Sequence, residues 1–557
     1  MKKLLALTLT LVLSLALAAP AFAADEVSLS PQALVFDGYG VEDFCAYNIN
    51  GYNYFKLRDI AFLMSGTAGE FAVDWDADSG TVSVTTGGSY VYAGGELERG
   101  SDQSASAVPS PQTILIDGKK CDTLSVYNIG DNNYFKLRDL GEALGFSVDY
   151  DPEWNTAVVT SPKAERLLRS QTTTDETGSV TVSFTYDDSG RLTGYTTDDG
   201  STNAVNTYNE YGVLVNAKAF GGEGEDAWEM ETVYNGRGAV VSDALRFSDS
   251  GDETEYTYND EGVLTRKYSA SVSEYFSSAN ESIYDDQGLL QQTTDTFTSS
   301  DKTGETSVTV YTYDAQGRTV AYKTTGSGTQ IGIDLNENGE WIDVTESYSY
   351  TAESKTVYEA DRSTETVRTV SAYADGSETV TEEVTVNVYD AKGSVLSTKT
   401  VSGYGGDTYS REHRYTYDEA GRLLSDAEYY DDSETPDSVE TYVYDADGHT
   451  LSDRTEYADG AYSVMTYTYD EKGNCVKDTF ESLSYDYDWE TEEQIPVIEK
   501  RSSTYTYDAE GRAVLFTSDE EGEHYERAFA YDDAGNEVKE TVTINGEQTE
   551  VTVFVYG

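Results

Sequence analysis

The segment DLNENGEWID, Asp334–Asp343, has oxygen ligands at the spacing of a cation loop. Asp334, Asn336 and Asn338 occupy positions one, three and five, and Gly339 supplies the sharp bend at position six. Oxygen donors so placed can wrap one hard cation, which makes calcium the metal this spacing suggests. Position twelve is Thr345 rather than glutamate, so Asp343 or Glu346 would have to complete the set. No other cofactor is required. Paired carboxylates abound, as glycoside hydrolysis would need, yet nothing singles out one pair across a cleft. The chain has no G-x-S-x-G, P-loop or H-E-x-x-H, and its three histidines, His413, His449 and His524, stand apart. The residues therefore predict a protein that is not an enzyme. Two aromatic clusters, Tyr429 with Tyr430, and Tyr485, Tyr487 with Trp489, fall outside the repeated phrase described below and offer flat rings to sugars.

Composition narrows the class. The 557 residues carry 102 Asp and Glu against 37 Lys and Arg, a net charge of −65, so nucleic acid is a poor partner. Tyrosine dominates the aromatics, 46 against 17 Phe and 5 Trp, which suits thin sheets better than a thick interior. Residues 1–23 read as a signal peptide: Lys2 and Lys3, an apolar run, then Ala21-Phe22-Ala23 before the cleavage point. No second long apolar run follows, from which we expect no membrane span and a secreted or cell-surface protein. Three cysteines, Cys45, Cys121 and Cys475, are too few for a disulfide scaffold.

The N-terminal part says one thing twice. YNINGYNYFKLRDIA at Tyr47 returns as YNIGDNNYFKLRDLG at Tyr127, and VDWD at Val73 returns as VDYD at Val148. Alternating strands followed by a short helical stretch give two small α+β modules, residues 24–99 and 112–162, joined by a linker at 100–111. Arg58 and Asp59 are expected to open the helix and help cap it. The motif YFKLRDI or YFKLRDL followed by VDWD or VDYD resembles the copper amine oxidase-like N-terminal (stalk) domain. That resemblance implies a surface or spacer module without copper.

Residues 163–557 repeat another phrase. YTYDEAGRL at Tyr415 is one of twelve copies, spaced mostly by 22–27 residues, with a worn thirteenth expected at Tyr348–Val357. Tyr415 and Tyr417 share one face of a strand, Asp418 opens a type I turn, and Gly421 supplies the positive φ that returns the chain. The fold class is mainly β: the α+β modules, then a long antiparallel hairpin array. The phrase resembles the YD repeat of the RHS family, whose repeats form a hollow shell or an extended array. That resemblance implies a non-enzymatic extracellular scaffold or adhesion protein that binds cell-wall or host glycans. An RHS-type toxin-system component without its toxin, and a glycan hydrolase, are the alternatives.

Overall fold

The computed structural model describes residues 25–557 except 302, 336–340, 405–406, 489–492 and 521. The signal peptide lies outside the described residues. The rest is mainly β, with 42 strands from β1 (Val27–Leu29) to β42 (Glu547–Tyr556) and two helices, α1 (Leu57–Met64) and α2 (Leu137–Leu144).

The two N-terminal copies interlock. Strands β5 (Tyr52–Lys56) and β12 (Asn132–Lys136) pair antiparallel at the centre of a six-stranded sheet. Their register places Phe135 opposite its own repeat equivalent Phe55, with Tyr134 opposite Lys56 and Lys136 opposite Tyr54 on either side, so a pseudo-twofold axis runs through the Phe55–Phe135 pair. The exchange continues outward. Strand β2 (Ala33–Phe36) pairs with β14 (Thr156–Thr160) of the second copy, and β9 (Thr113–Ile116) pairs with β7 (Thr81–Thr86) of the first. One apolar core, including Phe55, Ile60, Met64, Phe71, Phe135 and Leu140, serves both copies. Cys45 is buried beside Tyr47 and Tyr134, and all three cysteines are free.

Neither helix receives a side-chain cap, contrary to expectation. Asp59 instead turns inward. It is 2% exposed, accepts the Leu97 amide at 3.0 Å and lies 3.6 Å from Lys56 Nζ. Burial is the main cause that lifts its pKa from 3.8 to about 6, against the pull of those two partners. The folded state then holds a proton more tightly than the unfolded one. The resulting stability is full below pH 3.8 and is lost as pH rises through about 6. We expect α1 to lose protection over that window, by about 2–3 kcal/mol. Asp59→Asn should flatten the profile in amide hydrogen exchange of α1. An unchanged profile would remove Asp59 as its cause.

From β15 (Leu168–Asp175) onward each strand pairs antiparallel with the next, through 28 strands, and β42 returns to pair with β15. The expected open array is thus corrected to a closed barrel. Its ends join at six register positions from Leu168↔Tyr556 to Thr174↔Val551. At strand spacing near 4.8 Å and usual tilt, such a ring would be roughly 50 Å across if circular. The wall is one sheet thick. Among the described residues its buried apolar side chains are Val213, Leu214, Ala219 and Ala244, of which Val213 packs on Val35 and Val158 of the N-terminal copies. The chain exposes 33504 Å², whereas a compact protein of this mass would expose about 20,000 Å². That excess is what a hollow wall, wet on both faces, produces.

Candidate functional site

The repeated phrase builds one joint, in which its Tyr, Asp, Gly, Arg and Leu each have a task. Gly421 N–H donates to the Asp418 carbonyl and Asp418 N–H to the Arg422 carbonyl, closing a tight turn with Gly421 at φ 88°. Asp418 Oδ1 accepts the Arg422 amide at 2.9 Å, and Oδ2 accepts Arg422 Nε at 2.7 Å. Those bonds, the backbone amide of Arg422 first, hold the Asp418 carboxyl below its ordinary range. The guanidinium lies 4.7 Å from the ring of Tyr444 in the next hairpin. Tyr444 then donates its hydroxyl to the Leu423 carbonyl at 2.9 Å. So Tyr, Asp, Gly, Arg and Leu together join one hairpin to the one before. The same hydroxyl-to-carbonyl latch recurs from Tyr186 to Leu168, Tyr258 to Val240 and Tyr531 to Ala513.

The turns form a ring along one rim. Arg237 donates to the Asp260 and Glu261 carbonyls of the following turn, Lys392 to Glu419, Arg422 to Asp445 and Lys472 to Ala509. Arg166, just before the first barrel strand, pairs with Asp532 of the last turn at 2.7 Å and so spans the closing seam. Asp445, Asp447 and His449 bring potential metal-ligand atoms within 4.8 Å of one another. His449, however, occupies the arginine position of the joint. It bonds Asp445 at 2.8 Å and stacks on Tyr469.

Below the rim, the face that carries the tyrosines is polar. At β22 (Gly251–Tyr258) to β26 (Gly304–Tyr313) it forms an open hollow of about 580 Å³ lined by Asp252, Ser278, Asn280, Asp295 and Glu305 among others. Glu305 accepts hydroxyls from both Tyr348 and Tyr350, the latter at 2.6 Å, and Asn280 donates to Asp295 at 2.6 Å. The opposite face carries ion pairs at mid-strand. Arg266 sits between Glu255 and Glu281, and Arg414 pairs with Glu412.

The residues singled out in the sequence are not brought into one site. Asn336 and Asn338 lie outside the described residues. Asp334 falls in β27 (Thr319–Leu335), and Asp343 is exposed in β28 (Trp341–Tyr358). Tyr429 and Tyr430 are neighbours in one strand and so point to opposite faces. Tyr429 is covered by Arg414 at 4.0 Å, while Tyr430 donates to Glu428 at 2.7 Å. Tyr485 and Tyr487 are exposed on a long hairpin, and Trp489 lies outside the described residues. The worn repeat is displaced as well. Tyr348–Val357 is the interior of β28, and the joint belongs to Tyr358, which latches to Thr319 at 3.0 Å beneath Arg318. The phrase VYEADRS held that signal in the sequence.

No family model matches the chain, and no curated protein matches it. Among solved structures it is similar to a porin-like protein from Bacteroides uniformis, at 13% identity over 46% of this chain and 93% of that one, with a TM-score of 0.17. It is similar to the alcaligin outer membrane receptor FauA from Bordetella pertussis, at 8% identity over 72% and 78%, with a TM-score of 0.24. It is also similar to CdiB from Acinetobacter baumannii, at 7% identity over 76% and 69%, with a TM-score of 0.13. These scores are too low to indicate a shared arrangement.

The sequence-based expectations are corrected accordingly. A closed 28-strand barrel stands where the copper amine oxidase-like and YD/RHS resemblances implied a stalk and a repeat array, so those resemblances are withdrawn and the toxin-system alternative falls with them. A closed wall replaces the open hairpin array on which the scaffold, adhesion and glycan-binding readings stood, and tyrosines of its repeated phrase, such as Tyr444, are engaged in joints. The hydrolase alternative, which rested on abundant paired carboxylates with no pair singled out, is set aside with that reading. The expectation of no membrane span also falls. It came from a search for apolar helices, and a β-barrel crosses a membrane with strands.

Proposed function

We propose that the protein is an aqueous conduit or vessel at the bacterial cell surface: a closed β wall whose tyrosine face lines a lumen that admits small polar solutes and favours cations. The observation that carries this reading is the unbroken ring of 28 strands with both faces wet. Selectivity follows from charge. Asp252, Asp295 and Glu305 stand on the tyrosine face of a chain with net charge −65, and a low-dielectric wall focuses such a field inward. An outer face in lipid carries an apolar band about 25 Å tall. This one carries Arg266, Glu281 and Arg414 at mid-strand, so the bathing medium is read directly in the same experiment.

Ser277 and Ser278 are adjacent in β24 (Phe276–Tyr284) and point to opposite faces. In a background with the native cysteines replaced by serine, Ser278→Cys should react faster with a small cationic thiol reagent than with an anionic one. It should resist a bulky polymer maleimide. Ser277→Cys should react with the bulky reagent freely. Equal labelling of both positions by every reagent would refute an enclosed lumen. Protection of Ser277→Cys alone after mixing with lipid vesicles would place the outer face in a bilayer.

A further inference from the structure

The N-terminal copies contain two cavities, of about 440 and 350 Å³, built from equivalent residues. Each is composite. The first takes Asn48 and Asn53 from one copy and Arg138 and Asp149 from the other. The second takes Asn128 and Asn133 from the second copy and Arg58 and Asp74 from the first. The pseudo-twofold exchange that makes one core out of two copies thus also makes two sites, and neither copy could build one alone. An aromatic ring stands at each mouth: Tyr150 at the first and Trp75 at the second, 39% and 46% exposed.

In the first cavity Asn48 and Asn53 are bonded to each other, to Gly51 N–H and to Gln32, but the charged groups of both cavities are not paired off by the fold. Among the described residues, Arg58, Arg138, Asp74 and Asp149 form no ion pair. An unpaired arginine is unexpected in a chain where acids outnumber bases almost threefold. The amides differ in a telling way. Gln32 Oε1 accepts Asn53 Nδ2 at 2.7 Å, whereas its equivalent, Gln112 Oε1, is buried in the second cavity without any partner. A buried acceptor without a donor marks a place where a ligand N–H would be satisfied.

We infer that these are twin binding sites for a short zwitterionic peptide. A guanidinium takes a carboxylate in a forked pair, and an aspartate takes an ammonium. Side-chain amides match a peptide bond's donor and acceptor, Gln112 Oε1 among them, and the ring at the mouth covers an apolar side chain. A simple anion would use only the arginine and leave the aspartate, the amides and the ring idle.

Calorimetric titration of the full chain with a free dipeptide such as Ala-Ala tests this. Two sites per chain are expected. Capping either end of the dipeptide, by N-acetylation or C-amidation, should weaken binding roughly tenfold or more. Arg138→Met should remove one site, Arg58→Met the other, and the double variant both, with the melting profile unchanged as the control for folding. Binding of acetate as tight as that of the dipeptide would reduce the pair to anion sites. Absence of dipeptide binding, or stoichiometry untouched by both substitutions, would overturn the proposal.

Discussion

Deleting Glu547–Gly557 should open the barrel, with the largest loss of stability of any change to the wall. Among the described residues β42 is the partner that β15 has on that side, and their ladder is closed further by reciprocal bonds between Leu167 and Gly557 at 3.2 and 3.0 Å. A side-chain bond between Thr173 and Thr552 reinforces it at 3.0 Å. At a net worth near 1 kcal/mol each, these bonds sum to roughly 5 kcal/mol or more. The consequence exceeds that sum. Two strand edges, β15 and β41 (Glu537–Ile544), would face solvent unpaired, and such edges recruit strands from other chains. The truncated chain should run larger and polydisperse in light scattering and should unfold over a broader range of denaturant. Val553→Pro, which removes one ladder donor from the seam, should shift the same readouts part of the way. A truncated chain that stays monodisperse with an unaltered unfolding curve would mean that the ring is not closed by this seam.

Local rules made much of this legible in the sequence. The turn at Asp418–Gly421 follows from residue type, and the structure shows the carboxylate bonds and the positive φ that type demands. The 80-residue offset between the N-terminal copies was equally plain. Their mutual exchange was not, because Phe55 and Phe135 read the same whether each copy folds alone or pairs with the other. Closure was illegible for a similar reason. It depends on β42 meeting β15 across more than 370 residues, and Thr and Val at alternate positions suit any antiparallel neighbour. The phrase itself was understood only in part. Arg422 carried no assigned role in the sequence, and its reach to Tyr444 and Asp445 of the next hairpin appears only when successive hairpins lie side by side. The composite cavities lay further still from view, since their arginines and asparagines come from different copies.

Gly238→Val should release the N-terminal copies from the barrel. Gly238 lies in a rim turn at φ 75°, and a Cβ there would stand 2.4 Å from the Gly40 nitrogen. Gly40 returns the constraint, since its own Cβ would meet the Gly238 carbonyl at 2.8 Å. Two backbones touch here with no room for a side chain. Around this contact Val35, Val158 and Val213 form a buried apolar patch, Leu214 N–H donates to the Gly38 carbonyl at 2.8 Å, and Asn209 Nδ2 donates to Asp151 at 3.3 Å. A patch of three valines cannot absorb the displacement that a branched side chain would force. The cost combines backbone strain with overpacking, about 2–5 kcal/mol in all. Gly421→Val isolates the first contribution, because Gly421 has φ 88° and nothing within 4 Å of a Cβ. That control should lower barrel stability by about 1 kcal/mol and leave docking intact. Limited proteolysis reads the difference. Gly238→Val should expose the connection between Ser161 and Leu168 to cleavage and split the melting profile into two transitions, whereas Gly421→Val should do neither. Equal behaviour of the two variants would show that strain alone, and not the close approach of Gly40, governs position 238.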